Sequence, residues 1–289
     1  MNIVFLVFGN DYKNYQQALF SMLTFLSKMK EEDHIIVLTD TPEYFKVIEE
    51  QITISLLNEE LLNSWKGNYN FFWRIKIKAL QLVEKEFGGK PFIYLDADTF
   101  LFNDLNKIKK GLTQGYNFMH LNEGKLSELG SKTEKRMWKQ LKNTVHANVL
   151  IDENSCMWNA GVIAIGEKIK ETLQLSLDIC DSMCAQNITP RLIEQFAFSL
   201  ALNKENKLIE ADNTIGHYWG NKIQWNEKIS AFFNENLLKN ISLKSQIKLL
   251  DGFKFDALPI NIKLPNTRKR LNTKIEHWFP NKYEIYIKR

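Results

Sequence analysis

The chain has 289 residues, 44% hydrophobic and 25% charged, with a net charge of +4. These proportions belong to an ordinary soluble globular protein, enough for one large α/β domain and an appendage, and they exclude a disordered, collagenous or coiled-coil chain. So small a positive charge does not hold a polyanion, so nucleic acid is not an expected partner. The charge is unevenly placed: residues 263–289 contain eight basic and two acidic side chains, which gives that tail +6 and leaves −2 for everything before it. Three cysteines, Cys156, Cys180 and Cys184, have neither disulfide-framework nor zinc-ligand spacing and read as reduced thiols.

Residues 3–8 are a continuous apolar run closed by Gly9-Asn10-Asp11, which reads as a buried strand and a loop. The run is too short for a signal-peptide core and no stretch is long enough to span a bilayer, so the expected location is the cytoplasm. A helical pattern follows over residues 15–29, then a strand over 34–38 and a helix that Pro42 opens. A weaker strand covers residues 52–57. Residues 71–87 read as a helix with Ile75, Ala79, Leu82 and Val83 on one side, stopped by Gly88-Gly89, and Phe92–Leu95 is a fourth strand. Strands alternating with helices imply a mostly parallel sheet covered on both faces.

The second half is less regular. Residues 117–121 and 161–165 are strand-like, 167–184 are helical, and Thr189-Pro190 opens a helix to about Asn203. Leu208–Glu210 is a short strand before Gly216-His217-Tyr218-Trp219-Gly220. Beyond Trp225 the chain turns to Asn- and Lys-rich helical stretches and then the basic tail. The expected division is a catalytic domain over residues 1–225 and a helical, basic extension over 226–289.

The strongest chemical signal is Ile93-Tyr94-Leu95-Asp96-Ala97-Asp98-Thr99, an apolar strand running into two carboxylates one residue apart. In extended backbone, residues i and i+2 point the same way, so both can face one cation. Ligands of open α/β sheets sit at such strand ends. A hard divalent ion held there would neutralise a diphosphate as it departs. The same Asp96-x-Asp98-x-Thr99 run also matches the first motif of haloacid-dehalogenase-type phosphatases, where the first Asp is a nucleophile. That family needs a downstream acidic cluster, and neither Gly-Asp nor Asp-Asp occurs in this chain.

A second signal is Trp158-Asn159-Ala160-Gly161-Val162. The small Ala-Gly pair entering a strand admits close approach of a ligand, and the Asn amide is available to hydroxyls. The third is Gly216-His217-Tyr218-Trp219-Gly220-Asn221-Lys222, read as a loop after a strand. A neutral imidazole there suits a third metal ligand, the glycines permit tight turning, and Lys222 can meet a phosphate.

Together these stretches resemble the GT-A glycosyltransferases, and most closely glycosyltransferase family eight, over residues 3–222 or about three quarters of the chain. Arg74-Ile75-Lys76 resembles that family's Arg-Leu-Lys, Leu95-Asp96-Ala97-Asp98 its Leu-Asp-x-Asp, and Asn159-Ala160-Gly161-Val162 its Asn-Ala-Gly-Val. Glu194-Gln195 resembles its Asp-Gln pair, and His217-Tyr218-Trp219-Gly220 its His-x-x-Gly. Glu194 is one methylene longer than the usual Asp, Lys222 stands one residue nearer the His than usual, and the Pro-Trp that commonly follows that Lys is absent.

The resemblance implies a nucleotide-diphospho-sugar transferase fold, mostly parallel with flanking helices. It implies a UDP-hexose donor and transfer with retention to a saccharide or lipid-linked acceptor. Asp96, Asp98 and His217 would hold Mn²⁺ or Mg²⁺. Arg74 and Lys222 would balance the diphosphate, Asn159, Ala160, Gly161 and Gly220 would line the donor, and Glu194 and Gln195 would stand at the reaction centre. A GT-A fold kept as a non-catalytic sugar-binding scaffold is the rival outside enzymology, and a nucleotidyltransferase lacks its Gly-rich phosphate loop here. The tail, with Trp278, Phe279, Tyr283 and Tyr286 among its basic residues, suits peripheral contact with an anionic membrane. The plainer reading is a segment packed on the catalytic domain.

Overall fold

The structure, a computed structural model, describes residues 1–204 and 207–262 together with 268, 271, 274, 275 and 277–279, the side chain of Pro190 excepted. The first half alternates as its sequence implies. Strand β1 (Asn2–Val7) leads into α1 (Tyr12–Leu26), β2 (His34–Thr39), a 3₁₀ stretch (Pro42–Gln51) and β3 (Ile52–Leu56). Helices α2 (Glu59–Trp65) and α3 (Arg74–Phe87) follow, then β4 (Phe92–Leu95) and β5 (Thr99–Leu101). Helix α1 starts earlier than its apolar pattern because Asp11 accepts a hydrogen bond from Lys13 N and caps it. The segment opened by Pro42 is 3₁₀ with a kink at Ile48 rather than a regular α-helix.

The second half contains α4 (Asn106–Thr113), β6 (Asn117–Met119), β7 (Asn122–Lys125) and α5 (Lys132–Leu141), then β8 (Val145–His146), β9 (Val149–Leu150), β10 (Cys156–Trp158) and β11 (Val162–Ile165). Next come α6 (Ile169–Ala185), α7 (Ile193–Leu202), β12 (Leu208–Glu210), β13 (Ile215–His217), α8 (Lys222–Leu238) and α9 (Leu243–Leu249). Helix α5 opens on a capping box in which Ser131 and Glu134 satisfy each other's backbone N–H groups.

Seven strands form one sheet in the order β12-β6-β11-β4-β1-β2-β3. All neighbours run parallel except β11, which is antiparallel to both β4 and β6. This is the expected mixed α/β fold with a mostly parallel sheet. Its central strands β4 and β11 are apolar on both faces because each face is covered. Val4, Ile36, Phe92 and Tyr94 join α3, α6 and α7 in one core, while Ile3, Phe5, Ile93 and Leu95 join α1, α4 and α8 in the other.

Trp225 does not mark a boundary. It lies inside α8, fully buried, stacked on Phe100 at 4.7 Å and on Tyr218 at 5.0 Å, with its indole N–H donating to Pro259 O. Phe232, Phe233, Phe253 and Phe255 extend the same core toward Phe20 and Phe100. The early part of the extension is therefore integral to the domain, since its aromatic side chains cover α1 and β5. The cysteines are free thiols, with Cys180 and Cys184 buried as expected. Among the described residues, no helix is long and apolar enough to cross a membrane. The basic tail lies largely outside the described residues.

Candidate functional site

Strand β4 delivers Asp96 to the end of the sheet, and the chain then turns rather than continuing extended. Thr99 Oγ1 donates to Asp96 O at 2.8 Å and closes the Asp96–Ala97–Asp98 turn into β5. The two carboxylates converge because of this turn, not because of strand alternation. His217 ends a strand and is not in a loop: β13 pairs antiparallel with β5, with His217 opposite Thr99. Gly216 serves packing here instead of a tight turn, since a Cβ there would lie 2.1 Å from the Phe100 ring. The pairing of β13 with β5 brings the imidazole beside the acidic turn.

Among the described residues, Asp96, Asp98 and His217 each offer one ligand atom within 4.8 Å of the others. Asp98 is buried, with Oδ1 3.4 Å from His217 Nε2 and Oδ2 2.9 Å from Lys222 Nζ. The Lys222 contact is an ion pair lying off hydrogen-bonding direction, so Asp98 Oδ2 is left without a hydrogen bond. Burial alone would raise the Asp98 pKa, but His217 and then Lys222 outweigh it and hold the carboxyl well below the usual range. Two carboxylates and an imidazole, one of the carboxylates with an oxygen that lacks a hydrogen bond, are a donor set that fits Mn²⁺ or Mg²⁺.

Behind Asp96 stands a lysine that the sequence reading passed over in favour of its neighbour. Lys76 Nζ is 3.2 Å from Asp96 Oδ1, 3.1 Å from Glu194 Oε1 and 3.2 Å from Ala160 O. Burial lowers its pKa, but Asp96 and Glu194 together hold the ammonium charged above the ordinary lysine range. Tyr94 OH donates to the same Asp96 Oδ1 at 2.7 Å. Burial pushes Glu194 up, against the pull of Lys76.

Arg74 is not where the resemblance puts it. Its guanidinium is held by Asp181 of α6 at 2.7 and 2.9 Å and donates to Trp65 O, away from the carboxylates. Residues two apart on a helix lie about 200° apart around its axis, so Arg74 and Lys76 cannot both face the site.

A cavity of about 840 Å³ opens over these groups, lined by Asp96, Asp98, Asn159, Ala160, Gly161, Glu194, Gln195, His217 and Lys222 among others. Phe8, just after β1, and Glu123 and Arg191 also line it. Of the expected site residues, Arg74 and Gly220 do not line it. Gly220 packs on Asn261, where a Cβ would be 2.2 Å from Oδ1.

Glu194 and Gln195 lie off the apolar stripe of α7, yet Glu194 is buried against Lys76 and Gln195 Nε2 donates to Glu123 Oε2 at 3.0 Å. Glu123 was not foreseen, because β7 carries no motif. Burial raises its pKa, opposed by hydrogen bonds from Asn159 and Gln195.

The open side of Gly161 is taken by His217. A Cβ on Gly161 would stand 2.2 Å from His217 Nδ1 and Cε1, so the imidazole packs directly on the glycine. Gly161→Ala is expected to displace the ring and weaken Mn²⁺ binding by more than about tenfold while costing about 1–3 kcal/mol of stability. Mn²⁺ titration alongside urea unfolding checks this, and unchanged affinity would contradict the placement of His217.

No protein-family model matches the chain, and no curated protein matches it. Among solved structures it is similar to the galactosyltransferase LgtC in complex with donor and acceptor sugar analogs, at 15% identity over 73% of each chain with a TM-score of 0.47. An active-site mutant of LgtC matches at 15% identity over 73% of this chain and 72% of that one, also at 0.47. Likeness at this level assigns no activity to this chain.

Proposed function

We propose that the protein is a metal-dependent glycosyltransferase of the GT-A type that uses a nucleoside-diphosphate hexose, with UDP as the nucleotide. The observation that carries this reading is the convergence of Asp96, Asp98 and His217 in the wall of one cavity, beside the cations Lys222 and Lys76. Asp96, Asp98 and His217 would hold Mn²⁺ or Mg²⁺, which when bound supplies neutralising charge for the departing diphosphate.

Lys222, half-exposed at the start of α8, would exchange its pairing with Asp98 for a phosphate oxygen. Glu194, held by Lys76, and Gln195, held by Glu123, would orient the hexose and the acceptor hydroxyl. An α-linked donor would yield an α-linked product. A saccharide acceptor would take the part of the cavity wall that includes Glu123 and Arg191.

The phosphatase reading has no support in the site. Among the described residues Asp96 is joined by one further carboxylate and an imidazole, while its Oδ1 is engaged by Tyr94 and Lys76. Thermal-shift measurements with UDP-, GDP- and CMP-sugars, with and without Mn²⁺, test the proposal. A UDP-hexose with Mn²⁺ at about 100 times its Kd should add about 2.7 kcal/mol and shift Tm by several degrees. Metal-independent stabilisation, or none with any donor, would sink it. Mn²⁺-dependent hydrolysis of the donor separates an enzyme from a scaffold, and the product's anomeric proton signal reports retention.

A further inference from the structure

Asn159 is buried, and its amide orientation is settled by its neighbours. Its Oδ1 lies 3.1 Å from the backbone N–H of Gly161, a group that can only donate. Its Nδ2 lies 3.1 Å from Glu123 Oε1, a carboxylate oxygen that accepts. A flipped amide would set N–H against N–H and oxygen against oxygen, so Glu123 and Gly161 together clamp one orientation.

The oxygen so fixed is also the partner of His217 Nδ1, at 2.9 Å. An oxygen cannot donate, so Nδ1 carries the hydrogen and the lone pair of the neutral ring falls on Nε2. That nitrogen faces Asp98, 3.4 Å from Oδ1. The other tautomer would place two lone pairs against each other at Asn159, and the N–H it would aim at Asp98 Oδ1 gains only a long contact of 3.4 Å in exchange for the 2.9 Å bond.

We propose that Asn159 is a positioning residue, clamped by Glu123 and Gly161 N–H, which fixes His217 in the Nδ1–H tautomer and aims its Nε2 lone pair at the Asp96–Asp98 site. Both lone pairs of Asn159 Oδ1 are used by Gly161 and His217, so the amide oxygen is not free for a sugar hydroxyl. Its Nδ2, with one N–H given to Glu123, keeps a second N–H for a donor hydroxyl, so the expected contact with the sugar would come from the nitrogen. The assignment rests on the metal-site reading for its purpose, but not for its geometry. Such outer-shell hydrogen bonds orient ligating imidazoles generally, and their loss costs about 10–100-fold in metal affinity.

The test is ¹⁵N NMR of the five histidines in metal-free protein, at a pH where the imidazole is neutral. His217→Gln identifies the His217 signals. Wild type is expected to show the Nδ1–H tautomer at His217. Asn159→Asp keeps an oxygen acceptor for His217 Nδ1 and should preserve that tautomer with Mn²⁺ affinity within a few-fold of wild type. Asn159→Leu should convert His217 to the Nε2–H form and weaken Mn²⁺ binding about 10–100-fold.

An Nε2–H tautomer in wild type would overturn the assignment without any variant. So would an Asn159→Leu protein that retains both the tautomer and the affinity. Wild type that shows the Nδ1–H form but binds no Mn²⁺ would instead overturn the metal reading and leave the orientation of His217 established.

Discussion

Asp98→Asn is expected to abolish the stabilisation that Mn²⁺ and UDP together confer, with metal affinity reduced by more than about 100-fold, or about 2.7 kcal/mol. Asp98 is buried, as His217 is, whereas Asp96 is partly exposed. His217 Nε2 and Lys222 Nζ both converge on it, and its Oδ2 lacks a hydrogen bond. Asparagine matches its shape but removes the charge and puts N–H groups where an anionic oxygen stood. The apo protein should stay folded, because Lys222 is half-exposed and hydrates when released.

The variant should also alter acid unfolding in a stated direction. The Asp98 carboxyl is held below its unfolded value by His217 and Lys222 against the effect of burial. Its contribution to stability is thus present above the ordinary carboxylate range and is lost as pH falls through that range and below it. Wild type should lose more stability than Asp98→Asn over that interval. Isothermal titration with Mn²⁺ and urea unfolding at several pH values check both claims. Unchanged metal-dependent stabilisation in the variant would remove Asp98 from the site.

Lys76→Met is expected to destabilise the fold by about 3–5 kcal/mol at neutral pH, the range for breaking a buried ion pair from one side. The ammonium is the only cation that touches Glu194 among the described residues, and Glu194 is buried. Methionine fills the stem's volume and leaves that carboxylate without its partner. Replacing both, as Lys76→Met with Glu194→Gln, should recover part of the loss, because the fully buried charge is gone and the remaining partner of Lys76, Asp96, is partly exposed and bonded to Tyr94.

The pH dependence of the single variant has a definite sign. Burial raises the Glu194 pKa, and loss of Lys76 raises it further. The native state then binds a proton that the unfolded chain does not, so stability rises as pH falls toward the carboxylate range. Urea midpoints for the two variants and wild type measure this. A single variant with wild-type stability at neutral pH would show that Lys76 and Glu194 do not depend on each other.

What the sequence determined by itself was local. Continuous apolar runs such as Phe92–Leu95 identify strands covered on both faces, since side-chain alternation needs only neighbouring residues. The Leu95-Asp96-Ala97-Asp98 run places a carboxylate pair at a strand end, because the apolar run stops there. The small residue at 161 signals a close approach. What approaches it is His217, 56 residues further along the chain, and no local pattern names that occupant.

Tertiary packing decided the rest. Arg74 and Lys76 are both basic and both belong to the quoted motif, and only the seating of α3 against α6 commits Arg74 to Asp181 and leaves Lys76 for Asp96 and Glu194. Glu194 reads as a solvated position from the stripe of α7, yet it is buried because the helix is enclosed on both sides. Glu123 belongs to no motif and enters the site only because β7 lies within reach of Asn159 and Gln195. Spacings of two to four residues are set by the geometry of a single element and can be read along the chain. Which charged group finds a buried partner 58 or 118 residues away depends on the packing of whole elements, and burial makes that choice energetically decisive.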